Sequence, residues 1–272
     1  MKDNDKNILL AAGGTGGHLY GAESLASELS LEGYNTFLFT DKRVGKLVKG
    51  FVQDNVKEIF SDTFTNKSFY KWPFVVFKIL LGFISSLILI KKINPKAVVG
   101  FGGYPTIPVI LAAKLYGSKI IIHEQNIILG RANKLLVKLA DIITLGFDNT
   151  IGVPKNYRKK TFFSGNPIRR DILKYQSPYE AFNGKDKFNL VIFGGSQGAS
   201  FFSKTIPPSL CMLSDKKKSF LKVFHQVRPK EVESVKNFYN SENINAEVSN
   251  FFDNLPVLLN SSHLIISRSG AS

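Results

Sequence analysis

Residues 13–18 read Gly-Gly-Thr-Gly-Gly-His, four glycines around a threonine with an imidazole at the end. Glycine leaves the backbone N–H groups uncovered, so a ligand can come close to the main chain. Where such a turn leads into a helix, unpaired amides and the helix dipole favour an anion by about 0.3–1 kcal/mol per contact. A histidine there, with an ordinary pKa of about 6.5, can accept a proton at neutral pH. The pattern points to an anion cradle beside a general base, with His18 the first candidate. The bland reading of His18 is a helix cap or a partner for a neighbouring carbonyl. His123 and Glu124 end another apolar run in "HEQN" and compete for the same role. A third stretch, Gly194-Gly195-Ser196-Gln197-Gly198, again offers bare backbone and a hydroxyl.

These residues need strands and helices to hold them. "NILLAAGGTGG" and "NLVIFGGSQGA" are alike: each is an apolar run, a Gly-Gly turn and a helix-like segment. Runs apolar throughout suit parallel strands covered on both faces. Strands are expected at 8–12, 36–39, 97–99, 119–123, 142–145, 190–193, 221–225 and 264–267, with helices at 22–31, 106–116, 131–140, 201–213 and 230–240. The expected class is α/β, with two doubly wound parallel-sheet domains. The polar stretch 168–187 reads as a linker between a domain at 1–167 and a second at 188–272. The second half has room for about three βα units and stops at "SRSGAS", so this domain is expected to be truncated.

Asp41 lies at about the spacing where an acid would hold a ribose, yet neither glycine turn satisfies G-x-G-x-x-G and neither leads into Gly-Lys-Ser/Thr. A nicotinamide-type site and a P-loop are therefore set aside. The net charge of +15 favours an anionic partner: nucleic acid, a membrane surface or a phosphorylated substrate. The basic residues are scattered and no recognition helix or aromatic RNA motif interrupts the βα pattern, which argues against nucleic acid. The single cysteine, Cys211, excludes an internal disulfide, no Cys/His cluster has zinc spacing, and the start "MKDNDKN", with two acids and only five apolar residues after it before the glycines, is not a secretory signal. The one Asp-x-Asp, Asp3 to Asp5, falls in the N-terminal tail, so neither a metal nor a cofactor is expected.

Six ordered stretches carry a resemblance: "GGTGGH", "GFGGYPTIP" (100–108), "HEQNIILGRANK" (123–134), "GNPIR" (165–169), "GGSQGAS" (194–200) and "SRSGA" (267–271). Together they resemble the MurG family, glycosyltransferase family 28, over the whole chain. The resemblance implies a GT-B fold, two Rossmann-like domains facing across a cleft. The first would bind the acceptor and the second the UDP-sugar. It implies inverting transfer of N-acetylglucosamine from UDP-N-acetylglucosamine to the C4 hydroxyl of undecaprenyl-diphospho-muramoyl-pentapeptide, converting lipid I to lipid II in peptidoglycan synthesis. Carried over, Gly14, Thr15, Gly16, Gly17, Asn126, Arg169, Ser196, Gln197, Gly198, Phe252, Ala271 and Ser272 would bind donor. Gly16, Gly17, His18, Gly102, Gly103, Tyr104, His123 and Glu124 would face the acceptor and its diphosphate. Phe252 would act through its backbone, and packing is an equal reading of Tyr104. The family's donor segment continues past Ser272, so weak donor binding and little turnover are expected of this chain. A related transferase with another UDP-sugar or lipid acceptor, or a donor-binding module without turnover, stay open.

"KWPFVVFKILLGFISSLILIKK" (71–92) is the most apolar stretch and approaches the length of a membrane span. A crossover helix needs one apolar stripe, yet here most directions are apolar. Lys67, Lys71, Lys91, Lys92 and Lys96 surround it. Peripheral docking through Trp72, Phe74, Phe77, Lys78 and Leu81 on an anionic surface is favoured over spanning or full burial. The implied location is the cytoplasmic face of the bacterial inner membrane.

Overall fold

The computed structural model describes residues 6–14, 16–42, 48, 51–63, 68–175, 177–194 and 200–268. Thr15, Ser196, Gln197, Gly198, Ala271 and Ser272, all expected at the donor site, and Lys67 lie outside the described residues. The chain divides at residues 169/170 into two units, each with its own parallel sheet.

The first sheet contains β1 (Asn7–Ala11), β2 (Asn35–Thr40), β3 (Val56–Glu58), β4 (Ala97–Gly100), β5 (Lys119–Glu124), β6 (Ile142–Leu145) and β7 (Thr161–Phe163), in the order β3-β2-β1-β4-β5-β6-β7. Among the described residues its α-helices are α1 (Gly16–Leu31), α2 (Trp72–Ile93), α3 (Thr106–Tyr116) and α4 (Arg131–Leu136). Every residue of "NILLA" in β1 is buried. The pleat sends Leu9 and Ala11 into the core on one face, with Val109 and Ile110 of α3, and Ile8 and Leu10 to the other, with Leu19, Ala22 and Ala26 of α1. An apolar run without alternation thus encodes a strand buried on both sides.

The second unit contains α5 (Arg170–Leu173), β8 (Phe188–Phe193), α6 (Ser200–Cys211), α7 (Asp215–Phe220), β9 (Leu221–Gln226), α8 (Val232–Ser241), β10 (Ala246–Ser249), α9 (Leu255–Asn260) and β11 (Leu264–Ser267). Its order, β10-β9-β8-β11, repeats the β3-β2-β1-β4 part of the first sheet. In both, the order reverses beside the first strand, leaving a crevice outside the strands' carboxyl ends where such folds bind ligands.

Three expectations need correction. Helix α1 begins at Gly16, not Ala22, because first-turn amides have no intrahelical partner and glycines are tolerated there. Helix α4 ends at Leu136, not Ala140. Strands β3, β7 and β10 escape the sequence pattern, being three or four residues long with charged or exposed positions.

Candidate active site

The crevice of the first sheet lies between the turns after β1 and β4. Gly14 (φ +83°) donates its N–H to Asp41 Oδ2 at 2.9 Å. Asp41, 6% exposed at the end of β2, therefore braces the glycine turn from behind. Gly102 and Gly103 both have φ in the left-handed region, at +95° and +80°. A Cβ on Gly103 would collide with the Gly13 carbonyl, and one on Gly102 would lie 3.3 Å from the His18 ring. Bare backbone in the β4 turn thus lets the two loops touch and leaves room for the imidazole. His18, in the first turn of α1, is bonded to the Gly13 backbone and feels the Glu124 charge. Burial holds its pKa below the ordinary value, and those two interactions only partly offset it. The ring is neutral at pH 7, the form a base requires.

Glu124 and His123 are committed elsewhere. Glu124, 1% exposed, accepts four hydrogen bonds: from Asn126 N–H (2.9 Å) and Nδ2 (2.8 Å) on Oε1, and from Gly130 N–H (2.8 Å) and Asn133 Nδ2 (2.8 Å) on Oε2. It ties the loop after β5 to the start of α4. His123 Nε2–H donates to Asn166 Oδ1 (3.3 Å), and Nδ1 is paired with Thr144 Oγ1 (3.0 Å). Asn166 in turn donates to the Gln125 carbonyl at 3.1 Å, and a Cβ on Gly146 would collide with it. Burial lowers the His123 pKa as well. Asn133 Nδ2, which also donates to the His123 carbonyl at 3.1 Å, would lie 3.4 Å from a Cβ on Gly102, so the β4 turn packs against it. Tyr104 is half-buried. Arg169 rests on the Tyr20 ring of α1, with Cζ 4.7 Å from the centroid.

In the second unit, a cavity of about 320 Å³ is lined by Ser200, Phe201, Phe202, Arg228 and Arg268. Arg228 follows β9, Arg268 follows β11 and Ser200 opens α6, so the cavity lies at the crevice of that sheet. Glu231 accepts hydrogen bonds from Ser200 Oγ (2.7 Å) and Ser203 Oγ (2.9 Å), which hold its carboxyl below the usual range and tether the start of α6 to the Arg228 loop. The Phe252 side chain packs in the core against Phe224 and Leu258, leaving only its backbone for a ligand.

Residues 8–144 match the glycosyltransferase family 28 N-terminal domain, and residues 189–272 match the glycosyltransferase family 28 C-terminal domain. The chain belongs to glycosyltransferase family 28. It is 44% identical over 269 residues to the UDP-N-acetylglucosamine--N-acetylmuramyl-(pentapeptide) pyrophosphoryl-undecaprenol N-acetylglucosamine transferase of Rhizobium meliloti (strain 1021), covering 97% of this chain and 71% of that one. The equivalently named protein of Brucella abortus (strain S19) is 40% identical, over 99% of this chain and 71% of the relative. Among solved structures, Acinetobacter baumannii MurG superposes with a TM-score of 0.69 at 27% identity, covering 98% of this chain and 72% of that one.

The family 28 chain presents α2 as a half-covered helix. Val75, Gly82, Ser86 and Ile90 face inward, and a Cβ on Gly82 would collide with the Phe60 carbonyl. Phe74 (70% exposed), Phe77 (57%), Trp72 and Leu81 face outward, so the helix is not wholly buried. By length and composition the stretch Phe69–Ile93, which contains α2, could cross a membrane, with a mean hydropathy of 2.4. Lys78 forms an ion pair with Asp62 at 3.1 Å. The sequence reading missed Asn133, Asn166, Thr144 and Arg228. Asn133 and Asn166 lie inside the quoted motifs, but nothing in an asparagine's type announces a partner elsewhere in the chain. Among the described residues, no group of three or more His, Cys, Asp or Glu could hold a metal ion.

Proposed function

We propose that the chain transfers N-acetylglucosamine from UDP-N-acetylglucosamine to the C4 hydroxyl of lipid-linked N-acetylmuramoyl-pentapeptide, with inversion and release of UDP. The match of both halves to family 28, alongside relatives 40–44% identical that are named for this reaction, carries the reading. Support for the acid–base assignment comes from the crevice of the first unit. His18 takes the proton as the C4 oxygen attacks the anomeric carbon and the bond to the UDP oxygen breaks. A base so placed contributes about 10²- to 10⁴-fold. Glu124 is the positioning residue that holds the Asn126 loop and keeps a negative charge near the imidazolium once it forms. In the second unit, Arg228 and Arg268 join the expected glycine turn and neutralise the departing diphosphate by charge-assisted hydrogen bonds. The domain roles follow: acceptor on 1–167, donor on 188–272.

The outward face of α2 docks peripherally on the cytoplasmic leaflet that contains the acceptor. The support is its exposed apolar stripe next to Lys71, Lys91, Lys92 and Lys96, each basic residue worth about 1 kcal/mol near anionic lipid. Replacing Phe74, Phe77 and Leu81 with serine should abolish flotation with anionic vesicles, and unchanged flotation would exclude this face. The reaction is tested by supplying labelled UDP-N-acetylglucosamine and the lipid-linked acceptor and resolving the products. Label should move into a disaccharide lipid with one UDP per transfer. Label that stays water-soluble while donor is consumed would refute it.

A further inference from the structure

The loop after β6 and the edge strand β7 enclose a second groove in the first unit, of about 560 Å³, which the transfer chemistry above leaves unused. Its lining runs from Leu145 and Phe163, the last residues of their strands and so at the carboxyl edge of the sheet where the His18 turn lies, to Thr161, the first residue of β7, and Arg158 just before it. Its lining combines apolar surface, with Ile151 and Phe163 more than half exposed, and polar groups from Thr150, Asp148 and Arg158. The adjoining segment Lys155–Lys160 carries four cations in "KNYRKK". A groove with small apolar contacts, backbone at an exposed strand and a surplus of positive charge fits a short, extended peptide that bears carboxylate.

We propose that this groove binds the peptide stem of the acceptor, with Arg158 pairing to a stem carboxylate. The proposal rests on the transferase reading, and it assigns the part of the acceptor remote from the reacting hydroxyl. Geometry supports it. The stem leaves the muramoyl sugar at C3, next to the attacking C4 hydroxyl. From β1 to β6 the order β1-β4-β5-β6 makes three strand steps, about 14 Å at about 4.8 Å each. Five extended residues reach about 17 Å. A stem whose sugar is seated beside His18 therefore reaches the end of the groove at Leu145, the last residue of β6, from which the lining continues along β7 to Arg158. Binding energy collected so far from the reacting centre holds the C4 hydroxyl in attacking geometry.

The test compares two acceptors, the lipid-linked muramoyl-pentapeptide and the same lipid-linked sugar without its peptide, in the unaltered chain, Arg158→Ala and Arg158→Lys. Arg158 is exposed, so its side chain can be removed without opening the core. Arg158→Ala should raise the KM for the pentapeptide acceptor about tenfold, the loss of one charged hydrogen bond, and leave kcat/KM for the peptide-free acceptor unchanged. Arg158→Lys should recover part of the loss. An equal effect on both acceptors, or no effect on either, overturns the proposal. If both acceptors suffer and flotation with anionic vesicles also falls, the groove is a lipid contact instead. Should the unaltered chain turn over neither acceptor, direct binding of the free pentapeptide decides, and absence of an Arg158-dependent Kd overturns the proposal.

Discussion

The two crevices are built on the same strand order and do opposite electrostatic work. Around β1, β4 and β5 the polar groups are paired with one another: Glu124 takes four donors, both nitrogens of His123 are engaged, and Asp41 holds Gly14. That network surrounds one imidazole, which burial keeps neutral against the pull of the Glu124 charge. Around β8, β9 and β11, Arg228 and Arg268 converge on open space, and their neighbour Glu231 is occupied by two serines. The fold supplies equivalent crevices, and the turn residues decide whether each is lined by paired polar groups or by cations.

Substitutions that touch one crevice alone sharpen this contrast. The largest effect is expected from Gly103→Ala, which demands an unfavourable φ, worth about 1–3 kcal/mol, and a collision with the Gly13 backbone. Turnover should fall more than about 100-fold while donor binding by the second unit is kept; isothermal titration with UDP checks the second half of that statement. Acidification should act on the other unit. Buried His225, hydrogen-bonded to Tyr239 at 3.0 Å, has its pKa lowered to about 4 by burial. Between about pH 6.5 and 4 the unfolded chain binds the extra proton, so stability falls as pH falls through that window and levels off below it. The full change is about 3 kcal/mol, read by hydrogen exchange in β8 and β9, and a flat profile there would remove His225 as the cause.

Arg228→Ala should weaken UDP-N-acetylglucosamine about tenfold or more in KM and spare the acceptor's KM; equal changes in both would take Arg228 out of the donor site. The smallest effect is a shift of a pH limb. With the Glu124 charge gone, Glu124→Gln should move the acid limb of kcat/KM to lower pH, since that charge raises the His18 pKa. Complete loss of turnover in a folded Glu124→Gln chain would make Glu124 the base.

The strands that position both crevices are legible in the sequence because Leu9, Val98, Ile120 and Val191 sit in runs buried on both faces. Edge strands such as Thr161–Phe163 are not, because one side meets solvent and three residues set no period. The glycine pairs and His18 are readable because few jobs need bare backbone next to an imidazole. Asn133 and Asn166 are not, because their work is to bridge segments up to 43 positions apart, visible only once β5 and its neighbours are assembled. Arg228 sits in "VRPKEVE", which reads as a solvated charge run until the sheet brings it to Arg268.

The central claim is that the His18 ring accepts the proton of the attacking hydroxyl. Single-turnover transfer with both substrates saturating isolates that step from binding. For His18→Gln the account predicts a rate about 10²- to 10⁴-fold below the unaltered chain with donor affinity preserved. Transfer at the unaltered rate would contradict it.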